Sequence, residues 1–547
     1  MTVIQHVLNR LREIGVTDIF GVPGDFSFPI NDAICLDPHM RWIGCCNELN
    51  AAYAADGYAR IKRVGAVCTT YGVGELSALN GIAGAFAENL PLFHLVGMPN
   101  RSAQEARALL HHTLGNGEYD LFYQMTKPVV CARAIMTPQN VVFETERLIT
   151  EALYHLRPVY MAFPADLANQ PVLGAPQPPT QPPRSDPDSL AAAIDAVVAA
   201  LAEARTACVL PGFLVARAGL QPVMQAIIDA SNLPFATMFW DKSVLDERQA
   251  GYVGMYDGSL MNEDVCAFVE GCDRLLAIGV LLTDLNSGAF TARLDPEKMI
   301  SISHHRTRVG KKTYSNVEMG DILTALAQRL PRRDTISHPV PAAPTPTVGS
   351  GPEPLTAASL YPRLEGFLRK GDLVMAETGT ISMGLGFAHL PSDVFFYNQT
   401  LWGSIGWATP ASFGATIAAP DRRMVLMTGE GAHQMTAQEV SQFARFGLKP
   451  VIFVLNNSGY LIERLLCKDP AIAYNDLAPW NYASLPHALG CEGWFTARVT
   501  TCAELDQALE TANRATGGVY IELMTDPYAA SPLAQKLHES FRALYKA

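Results

Sequence analysis

Short, uninterrupted apolar runs alternate with helical patterns along almost the whole chain, and this alternation most constrains its fold. The runs have the length of single strands and include AVCTT (66–70), VYMAFP (159–164), ACVLPG (207–212), RLLAIGVLL (274–282), MVLMTG (424–429) and PVIFVLNN (450–457). Strands that are apolar on both faces and joined by helices are typical of parallel sheets covered on both sides. The pattern therefore predicts an α/β fold.

Two proline-rich segments divide this pattern into pieces of similar size. LGAPQPPTQPPRSDP and SHPVPAAPTPTVGSGPEP cannot continue helices or central strands, because proline lacks the N–H donor and fixes its φ angle. We predict three consecutive doubly wound domains with mainly parallel sheets, at residues 1–172, 188–336 and 355–547. Proline-rich linkers at 173–187 and 337–354 would join them.

Composition and charge limit the classes of function. With 49% hydrophobic and 17% charged residues, the chain is typical of a folded globular protein. Its net charge of -12 argues against a nucleic-acid partner, because binding to the phosphate backbone requires a basic face. The 11 cysteines follow no disulfide or zinc spacing, which indicates reduced thiols. Because no apolar run reaches the roughly 18 residues of a membrane span, we expect a cytoplasmic protein with no membrane partner.

One acidic residue lies between two glycines at the end of an apolar run, in MVLMTGEGAHQM (424–435). In parallel sheets, ligands bind beyond the carboxyl ends of strands, where helix N-termini present free N–H groups. The glycines let the backbone come close to a phosphate, and Glu430 is suited to hold a hard cation that bridges phosphate oxygens. After the next apolar run, the side-chain oxygen of Asn457 and the carbonyl of Gly459 are suitable further ligands for Mg2+.

The spacing of these two motifs resembles that of thiamine-diphosphate enzymes, whose signature is Gly-Asp-Gly followed about two dozen residues later by Asn-Asn. Here 24 residues, Ala432 to Leu455, separate Gly431 from Asn456. The resemblance extends along nearly the whole chain and is strongest to the 2-oxo acid decarboxylases, which act on pyruvate, indolepyruvate or branched-chain 2-oxo acids. It rests on GVPGDF (21–26), NELNAAYAADGYAR (47–60), LLHHTLG (109–115), ETGT (377–380), GSIGWATPASFGA (403–415) and NNSGYLIE (456–463).

The resemblance implies a thiamine-diphosphate-binding fold in the first and third domains and a Rossmann-like middle domain. It also implies thiamine diphosphate and Mg2+ as cofactors, with the pyrimidine held by the N-terminal domain and the diphosphate and metal by the C-terminal domain. Glu48 matches the glutamate that hydrogen-bonds the pyrimidine, and its neighbours, Cys46 and Ala51 among them, predict that it is buried. Ile405 matches the bulky residue that bends the cofactor. Further cofactor contacts are implied at Thr70, Val73, Thr378, Thr380, Gly403, Gly431, Ala432 and Tyr460, and metal contacts at Glu430, Asn457 and Gly459.

The reaction implied by the resemblance is non-oxidative decarboxylation of a 2-oxo acid to an aldehyde and CO2. A thiamine diphosphate ylide adds to the substrate carbonyl, CO2 leaves, and the resulting enamine is protonated. Proton transfer needs positioned acids with tunable pKa values. Asp25, His111, His112 and Glu463 match the four acid–base residues of the family.

The sequence departs from its relatives at the metal site and in the substrate pocket. The usual acid in the glycine frame is aspartate, and we expect Glu430 to ligate the cation with its turn drawn back. Ser382 and Leu285 align with a tryptophan and a tyrosine that crowd the pocket of pyruvate-specific relatives, while Ile462 and Leu466 supply apolar walls. These changes predict a preference for branched, long-chain or aromatic 2-oxo acids. Leu461 replaces a smaller polar residue for no reason visible in the sequence.

Other functions are compatible with parts of the same sequence. A pyruvate decarboxylase would share the machinery, and a carboligase of the acetolactate-synthase type would share the cofactor fold but usually lacks the adjacent histidines. A thiamine-diphosphate-binding protein with lost catalysis is the non-enzyme alternative. The family builds its site across two subunits, so the resemblance implies a homodimer at least and typically a homotetramer.

Overall fold

The computed structural model describes residues 1–175, 178–179, 181–341 and 344–544, with side chains to residue 540. Parts of both predicted linkers and the last three residues of the chain lie outside this description. Contacts divide the chain into two units. Unit 1 comprises Met1–Pro183, Thr409–Asp421 and Thr436–Leu448, and unit 2 comprises Arg184–Ala408, Arg422–Met435 and Lys449–Ala547.

Unit 1 is built on a six-stranded sheet in which all strand pairs are parallel. Its strand order is β2-β1-β3-β4-β6-β5. The strands are β1 (Asp18–Gly21), β2 (Arg41–Gly44), β3 (Gly65–Thr70), β4 (Leu92–Met98), β5 (Ala132–Ile135) and β6 (Val159–Pro164). The strands β3 and β6 are buried throughout, as their uninterrupted apolar runs predicted, and so is β4 between them.

Unit 2 contains two further sheets. The first, of seven strands in the order β13-β12-β11-β10-β7-β8-β9, is parallel except at its β11-β12-β13 edge. Its strands are β7 (Ala207–Pro211), β8 (Phe235–Thr237), β9 (Tyr252–Met255), β10 (Arg274–Ile278), β11 (Met299–Ser303), β12 (Arg306–Val309) and β13 (Lys312–Ser315). Buried apolar runs such as β7 and β10 form its centre, whereas the antiparallel edge consists of short strands with polar residues. The hydrophobic signal in the sequence therefore fades at this edge.

The second sheet of unit 2 has six parallel strands in the order β15-β14-β16-β17-β19-β18. They are β14 (Leu373–Ala376), β15 (Phe395–Tyr397), β16 (Met424–Gly429), β17 (Val451–Asn456), β18 (Phe495–Val499) and β19 (Val519–Met524). The strands that carry the two predicted metal motifs, β16 and β17, are neighbours, with Gly429 opposite Leu455. Their carboxyl ends therefore meet at one edge of the sheet.

Helices connect the strands in all three sheets. In the N-terminal part they are Val3–Glu13, Phe28–Leu36, Glu48–Lys62, Val73–Ala87, Arg101–Glu105, Leu121–Met125, Val141–His155 and Ala165–Ala168. In the middle they are Pro187–Glu203, Phe213–Arg217, Gln221–Ser231, Glu263–Gly271 and Met319–Arg329. In the C-terminal part they are Ala357–Phe367, Thr380–Leu385, Ala408–Ala418, Glu430–Thr436, Val440–Arg445, Leu461–Leu466, Leu485–Ala488, Cys502–Arg514 and Pro532–Leu544.

The predicted fold class, three doubly wound domains with mainly parallel sheets, is confirmed. The predicted domain boundaries stay a prediction, and one feature of the packing was not anticipated. In unit 1 the helix Glu48–Lys62 packs directly on residues 411–414: a Cβ at Gly57 would lie 1.9 Å from Ala411 O, and one at Gly414 would lie 1.8 Å from Ala54 O. Small residues on both sides make this close approach of two backbones possible. Among the described residues, no helix is long and apolar enough to cross a bilayer.

Candidate active site

In unit 1 the carboxyl ends of β1 and β3 bring several predicted site residues together. β3 ends at Thr70, and a Cβ at Gly24, the residue before Asp25, would lie 2.4 Å from Thr70 Cβ. A Cβ at Gly74 would lie 3.2 Å from Thr70 Cγ2 and 3.3 Å from Glu48 Oε1. Asp25, Glu48 and Thr70, which are distant in sequence, therefore surround one end of the sheet, where parallel sheets bind ligands.

Thr70 and Val73, both predicted to contact the cofactor, differ in exposure. Thr70 Oγ1 is buried and has no hydrogen-bond partner within the described part of the chain. Val73, the first residue of its helix, is 51% exposed. Leaving a buried hydroxyl unpaired costs about 1–3 kcal/mol, which a bound ligand would relieve. An orphaned hydroxyl beside an exposed apolar side chain fits a ligand with both polar and apolar parts.

Glu48 is half-buried, and the prediction that it is buried was wrong. It is the first residue of the helix Glu48–Lys62. Ala51 and Ala52 are buried, but Cys46 is exposed. A side chain in the first helical turn lies at the open end of the sheet, and the apolar residues one turn further along pack inward without covering it. The carboxylate is therefore accessible to a ligand from this end.

Asp25, His111 and His112 form a compact cluster in unit 1. His111 Nε2 lies 2.7 Å from Asp25 Oδ2, and His112 Nε2 lies 3.9 Å from Asp25 Oδ1. Phe26 stacks on His111 with ring centroids 4.9 Å apart and meets the edge of His112 at 6.0 Å. Burial alone would raise the pKa of Asp25, but the hydrogen bond and charge of His111 outweigh it and hold this pKa below its usual range. Asp25 is therefore ionised at neutral pH, and His111 Nε2 donates a hydrogen bond to it.

The loop that carries the two histidines is fixed by backbone geometry. His112 has a φ of 61°, in the left-handed region that few residues other than glycine adopt. Gly72 donates its N–H to Glu75 Oε1 at 2.8 Å, and a Cβ at Gly72 would lie 2.2 Å from His112 O. Tyr71 OH also donates to Tyr119 O at 3.0 Å, further along the same loop. Only glycine fits at position 72 because the histidine loop packs directly on its backbone.

In unit 2, Glu430 lies where the strand end of β16 becomes a helix. The helix Glu430–Thr436 begins directly after Gly429. Glu430 is 3% exposed, and its Oε1 accepts backbone hydrogen bonds from Asn457 at 3.1 Å and from Gly459 at 2.9 Å. Burial raises the pKa of Glu430 to about 7, although these hydrogen bonds oppose the shift. The longer side chain of glutamate thus spans the gap between two neighbouring strand ends.

The side-chain amide of Asn457 completes a set of atoms suited to a cation. One of its terminal atoms lies 3.2 Å from Glu430 Oε1 and 2.7 Å from Gly459 O. If this atom is the nitrogen, it donates to both oxygens; if it is the oxygen, three oxygens converge. Ligands at adjacent positions around Mg2+ lie about 3 Å apart, because each is about 2.1 Å from the metal. The three predicted metal ligands therefore fit Mg2+ in the second orientation of the amide.

The turn that carries these ligands is held by a residue that the sequence analysis missed. Arg464 is buried, and it donates from Nη1 to Asn457 O at 3.0 Å and from Nη2 to Ser458 O at 2.5 Å. A Cβ at Gly431 would lie 2.5 Å from the Tyr460 ring, so glycine is needed for the two motifs to meet. In the sequence, Arg464 looks like a surface cation in a short helix, because its burial depends on segments that are distant along the chain.

The loops after β14 and β15 are joined by hydrogen bonds near the predicted cofactor contacts Thr378 and Gly403. Thr378 Oγ1 donates to Gln399 O at 3.0 Å, and Gln399 Oε1 accepts from Ser404 N at 2.8 Å. Glu377 accepts backbone hydrogen bonds from Thr378 at 3.0 Å and Ala408 at 3.1 Å, and burial raises its pKa to about 8. Glu377 and Gln399 were not predicted as site residues. Their hydrogen bonds hold the backbone around the predicted cofactor contacts, but neither residue belongs to a motif that the sequence would reveal.

Open space lies beyond these strand ends. Among the described residues, no heavy atom comes within 4 Å of a Cβ built at Gly379 or Gly429, apart from atoms of the glycine and its two flanking residues. Thr380 begins a short helix here, and Ala432 lies buried in the first turn of another. Free N–H groups at helix starts beside glycines bind phosphates well. This edge of the sheet therefore fits a diphosphate group next to the cation ligands.

Three of the four predicted pocket residues pack against a single apolar cluster in unit 2. Leu285, Ile462 and Leu466 are half-buried at its border. The cluster consists of Phe239, Met255, Leu260, Ala289, Met383, Leu461, Ala530, Leu533, Ala534 and Leu537. Ser382 is buried beside Met383, and its hydroxyl donates to Gly379 O at 2.9 Å. The half-buried leucines and isoleucine leave apolar surface available to a substrate.

The same cluster accounts for Leu461. Its side chain is 3% exposed and packs with Leu533 and Leu537 of the helix Pro532–Leu544. A small polar residue at position 461 would leave this helix without one of its apolar contacts. Leu461 therefore helps to hold the C-terminal helix against the helix Leu461–Leu466.

Glu463 and Ile405 remain accessible in their unit. Glu463 is exposed in the first turn of the helix Leu461–Leu466, and it follows Asn456, the last residue of β17, by seven residues. Ile405 is half-buried in the loop between β15 and the helix Ala408–Ala418. Both roles, proton transfer for Glu463 and cofactor bending for Ile405, stay predictions.

Comparison with protein families identifies three matching segments. The N-terminal TPP binding domain of thiamine pyrophosphate enzymes matches residues 1–119, the central domain 194–329 and the C-terminal TPP binding domain 377–523. Together they cover most of the chain. They match the N-terminal, middle and C-terminal parts in the order that the sequence predicted.

Whole-chain relatives agree with these segments. An alpha-keto-acid decarboxylase of Mycolicibacterium paratuberculosis is 41% identical over 525 residues, which cover 94% of this chain and 92% of the relative. The alpha-keto-acid decarboxylase of Mycobacterium leprae is 41% identical over 519 residues, covering 93% and 90%. The benzoylformate decarboxylase of Polynucleobacter necessarius has a similar fold, with a TM-score of 0.78 at 18% identity over 96% of this chain and 99% of that one.

Proposed function

Because the chain belongs to the thiamine-diphosphate-dependent 2-oxo acid decarboxylases, we propose that it converts 2-oxo acids with branched, long-chain or aromatic side chains to aldehydes and CO2. The decarboxylase class follows from relatives that are 41% identical along nearly their whole length. The substrate preference is our own inference. The observation that carries it is the apolar border formed by Leu285, Ile462 and Leu466.

Two of these three side chains come from the helix that carries Glu463, and Leu285 joins them at the border of the same apolar cluster. Ile462 adjoins Glu463, and Leu466 follows one turn later on the same helix. A substrate side chain that covers this border removes apolar surface from water, which contributes about 0.8 kcal/mol per buried methylene. Pyruvate has only a methyl group to offer and would gain little.

The direct test compares aldehyde release from pyruvate and from 4-methyl-2-oxopentanoate with thiamine diphosphate and Mg2+ present. The branched acid has three more carbons, so full burial would favour it by about 2.4 kcal/mol, or up to about 50-fold in kcat/KM. A preference for pyruvate would leave the decarboxylase intact and reject the apolar-border argument. Failure of both substrates would reject the proposed activity itself.

A pair of matched substitutions tests the border more closely. Leu285→Phe adds volume at the cluster and should lower kcat/KM for 4-methyl-2-oxopentanoate more than for pyruvate. Leu282→Phe makes the same change three residues earlier, at a side chain that is 45% exposed. It should leave both values unchanged. Equal losses on both substrates with Leu285→Phe would show that residue 285 supports the fold and does not select the substrate.

The residues of the chain have separate roles in this proposal. When bound, thiamine diphosphate supplies the carbon nucleophile and electron sink that decarboxylation requires. Glu430, Asn457 and Gly459 would hold its Mg2+, and Glu48 would hydrogen-bond its pyrimidine ring. His111 holds a proton at Nε2 against the ionised Asp25, which makes this pair suited to deliver a proton to a substrate carbon. The helix starts at Thr380 and Glu430 would offer free N–H groups to the diphosphate of the cofactor.

We propose that the catalytic site is shared between two chains. Within unit 1, Val73 is exposed and Glu48 is only half-buried, although both are predicted to face the cofactor. Co-expression of Glu48→Gln with Glu430→Ala tests this directly. When the two variants pair at random, about half of the dimers contain one chain of each kind. Each of these hybrids has one intact site and one doubly defective site, so about a quarter of native activity should return. A site contained within one chain would give no recovery, because every chain carries a defect.

We propose a cytoplasmic location for the enzyme. All eleven cysteines are free thiols, two of them exposed, which suits a reducing compartment. Fractionation of the producing cells should recover the protein with cytoplasmic markers. Recovery in an oxidising compartment would contradict the proposal.

A further inference from the structure

The cluster of Asp25, His111 and His112 has a property that decarboxylation does not require. One ligand atom from each residue lies within 4.8 Å of the other two, and no other group of three such residues in the described ranges meets this condition. His111 Nε2 and Asp25 Oδ2 are 2.7 Å apart, and His112 Nε2 is 3.9 Å from Asp25 Oδ1. Two imidazoles and one carboxylate at these separations are the donor set of many transition-metal sites.

We infer that this cluster binds a divalent transition metal ion such as Zn2+, Co2+ or Ni2+, and that the bound ion inhibits the enzyme. Imidazole nitrogen favours these metals, whereas Mg2+ prefers oxygen ligands. The Mg2+ proposed at Glu430 therefore does not compete for this site. The binding stands without the proposed function, but the inhibition rests on it.

Several contacts prepare the three side chains for a metal. Phe26 stacks on the His111 ring, and Gly72 packs on the backbone at His112, so neither histidine needs a large movement. Asp25 supplies a negative charge between the two rings. The His111 side chain is 59% exposed and that of Asp25 42%, so an ion reaches the cluster from solvent, and water can fill its remaining coordination positions.

Inhibition follows from the lone pairs that the metal occupies. Coordination at Nε2 of either histidine displaces the proton held there, because a ligating imidazole must be neutral and its nitrogen lone pair is taken by the metal. The cluster then cannot deliver a proton to the substrate carbon. The effect should reverse when a chelator removes the ion.

The test uses Co2+ titrated into the untagged full-length protein with thiamine diphosphate and Mg2+ present. Binding is followed by visible absorption of Co2+ and by calorimetry, and aldehyde release is measured at the same Co2+ concentrations. We expect one Co2+ per chain at this site and half-inhibition at the concentration of half-saturation. Absorption typical of cobalt–thiolate bonds would assign the binding to cysteine and overturn the inference.

Variants locate the ion. His111→Ala and Asp25→Asn should each weaken Co2+ binding more than about tenfold, since loss of even an outer partner of a metal ligand costs about 10- to 100-fold. Both residues are on the surface, and circular dichroism checks that each variant is folded. His305→Ala is the matched control, because His304–His305 is the second adjacent pair and His305 has its own acid, Glu318, at 2.7 Å.

The outcomes are distinct. Binding that survives both cluster variants, or that His305→Ala removes, overturns the inference, as does the absence of binding. Cobalt binding that depends on His111 in a protein that releases no aldehyde keeps the metal site and rejects the proposed function. If the protein releases aldehyde but binds no Co2+, and Co2+ does not affect the release, the metal site is rejected and the proposed function stands.

Discussion

Shortening Glu430 by one methylene tests whether the glutamate in the glycine frame is fitted to its site. Its Oε1 accepts hydrogen bonds from Asn457 N at 3.1 Å and Gly459 N at 2.9 Å. Glu430→Asp restores the residue that relatives usually carry, but it withdraws the carboxylate by about 1.5 Å, the length of one carbon–carbon bond. We expect the aspartate variant to bind Mg2+ and thiamine diphosphate more weakly.

The magnitude follows from these distances. A withdrawal of about 1.5 Å takes both hydrogen bonds beyond normal range unless the helix Glu430–Thr436 moves with it. Each hydrogen bond to a charged group contributes about 1.5–3 kcal/mol. If the helix moves enough to keep one of the two, the net loss of about 1.5–3 kcal/mol corresponds to about 10- to 100-fold in affinity. Mg2+ adds to the loss because it tolerates little departure from octahedral geometry.

Calorimetric titration of Mg2+ at fixed thiamine diphosphate measures this loss without reference to catalysis. Glu88→Asp is a matched control: Glu88 is also fully buried and forms an ion pair with Arg60 at 3.3 Å, but it lies in unit 1. It should lower stability and leave Mg2+ affinity unchanged.

An aspartate variant that binds Mg2+ as tightly as the native protein, or more tightly, would refute the reasoning. Glutamate would then be an imperfect substitute that misses the metal. A loss shared equally by Glu88→Asp would instead indicate general destabilisation.

Three further perturbations have definite expected results. Phe26→Leu removes the ring that stacks on His111 and should lower kcat about three- to tenfold, since such aromatic contacts contribute about 0.5–1.5 kcal/mol, with Tm little changed; an unaltered kcat would mean that the stacking does not orient the histidine. Mg2+ affinity should fall as the pH drops through about 7, because burial raises the pKa of Glu430 to about 7 and a ligating carboxylate must lose its proton; titrations from pH 6 to 8 that give one constant value would contradict this. Leu461→Ser should cost about 2–4 kcal/mol and speed proteolysis of the helix Pro532–Leu544, and a native digestion rate would show that other contacts hold this helix.

Local pattern in the sequence was enough for the architecture. A strand buried on both faces needs a continuous apolar run, and a helix needs apolar residues three or four positions apart. Both patterns can be seen in the sequence without reference to the rest of the chain. This is why the apolar runs alone predicted β3, β6, β16 and β17. The short polar strands β12 and β13 show no such pattern and were missed.

The sequence also determined which motifs meet. Gly431 and Asn456 are separated by one helix-and-strand crossover, and parallel neighbours bring their carboxyl ends together. The resemblance to a known family then supplied roles for Glu48, His111 and the rest, which spacing by itself did not give.

Only the tertiary structure decided how these residues are held. The burial of Arg464, the packing of Leu461 on the C-terminal helix and the exposure of Glu48 each depend on segments far away along the chain. So does the fit of Glu430, whose extra methylene is an anomaly in the sequence but spans the distance to the turn after β17. The periodicity of apolar residues predicts helices and strands, because these depend on residues close together in the sequence. The contacts that fix a site are made between distant segments, and no local pattern predicts them.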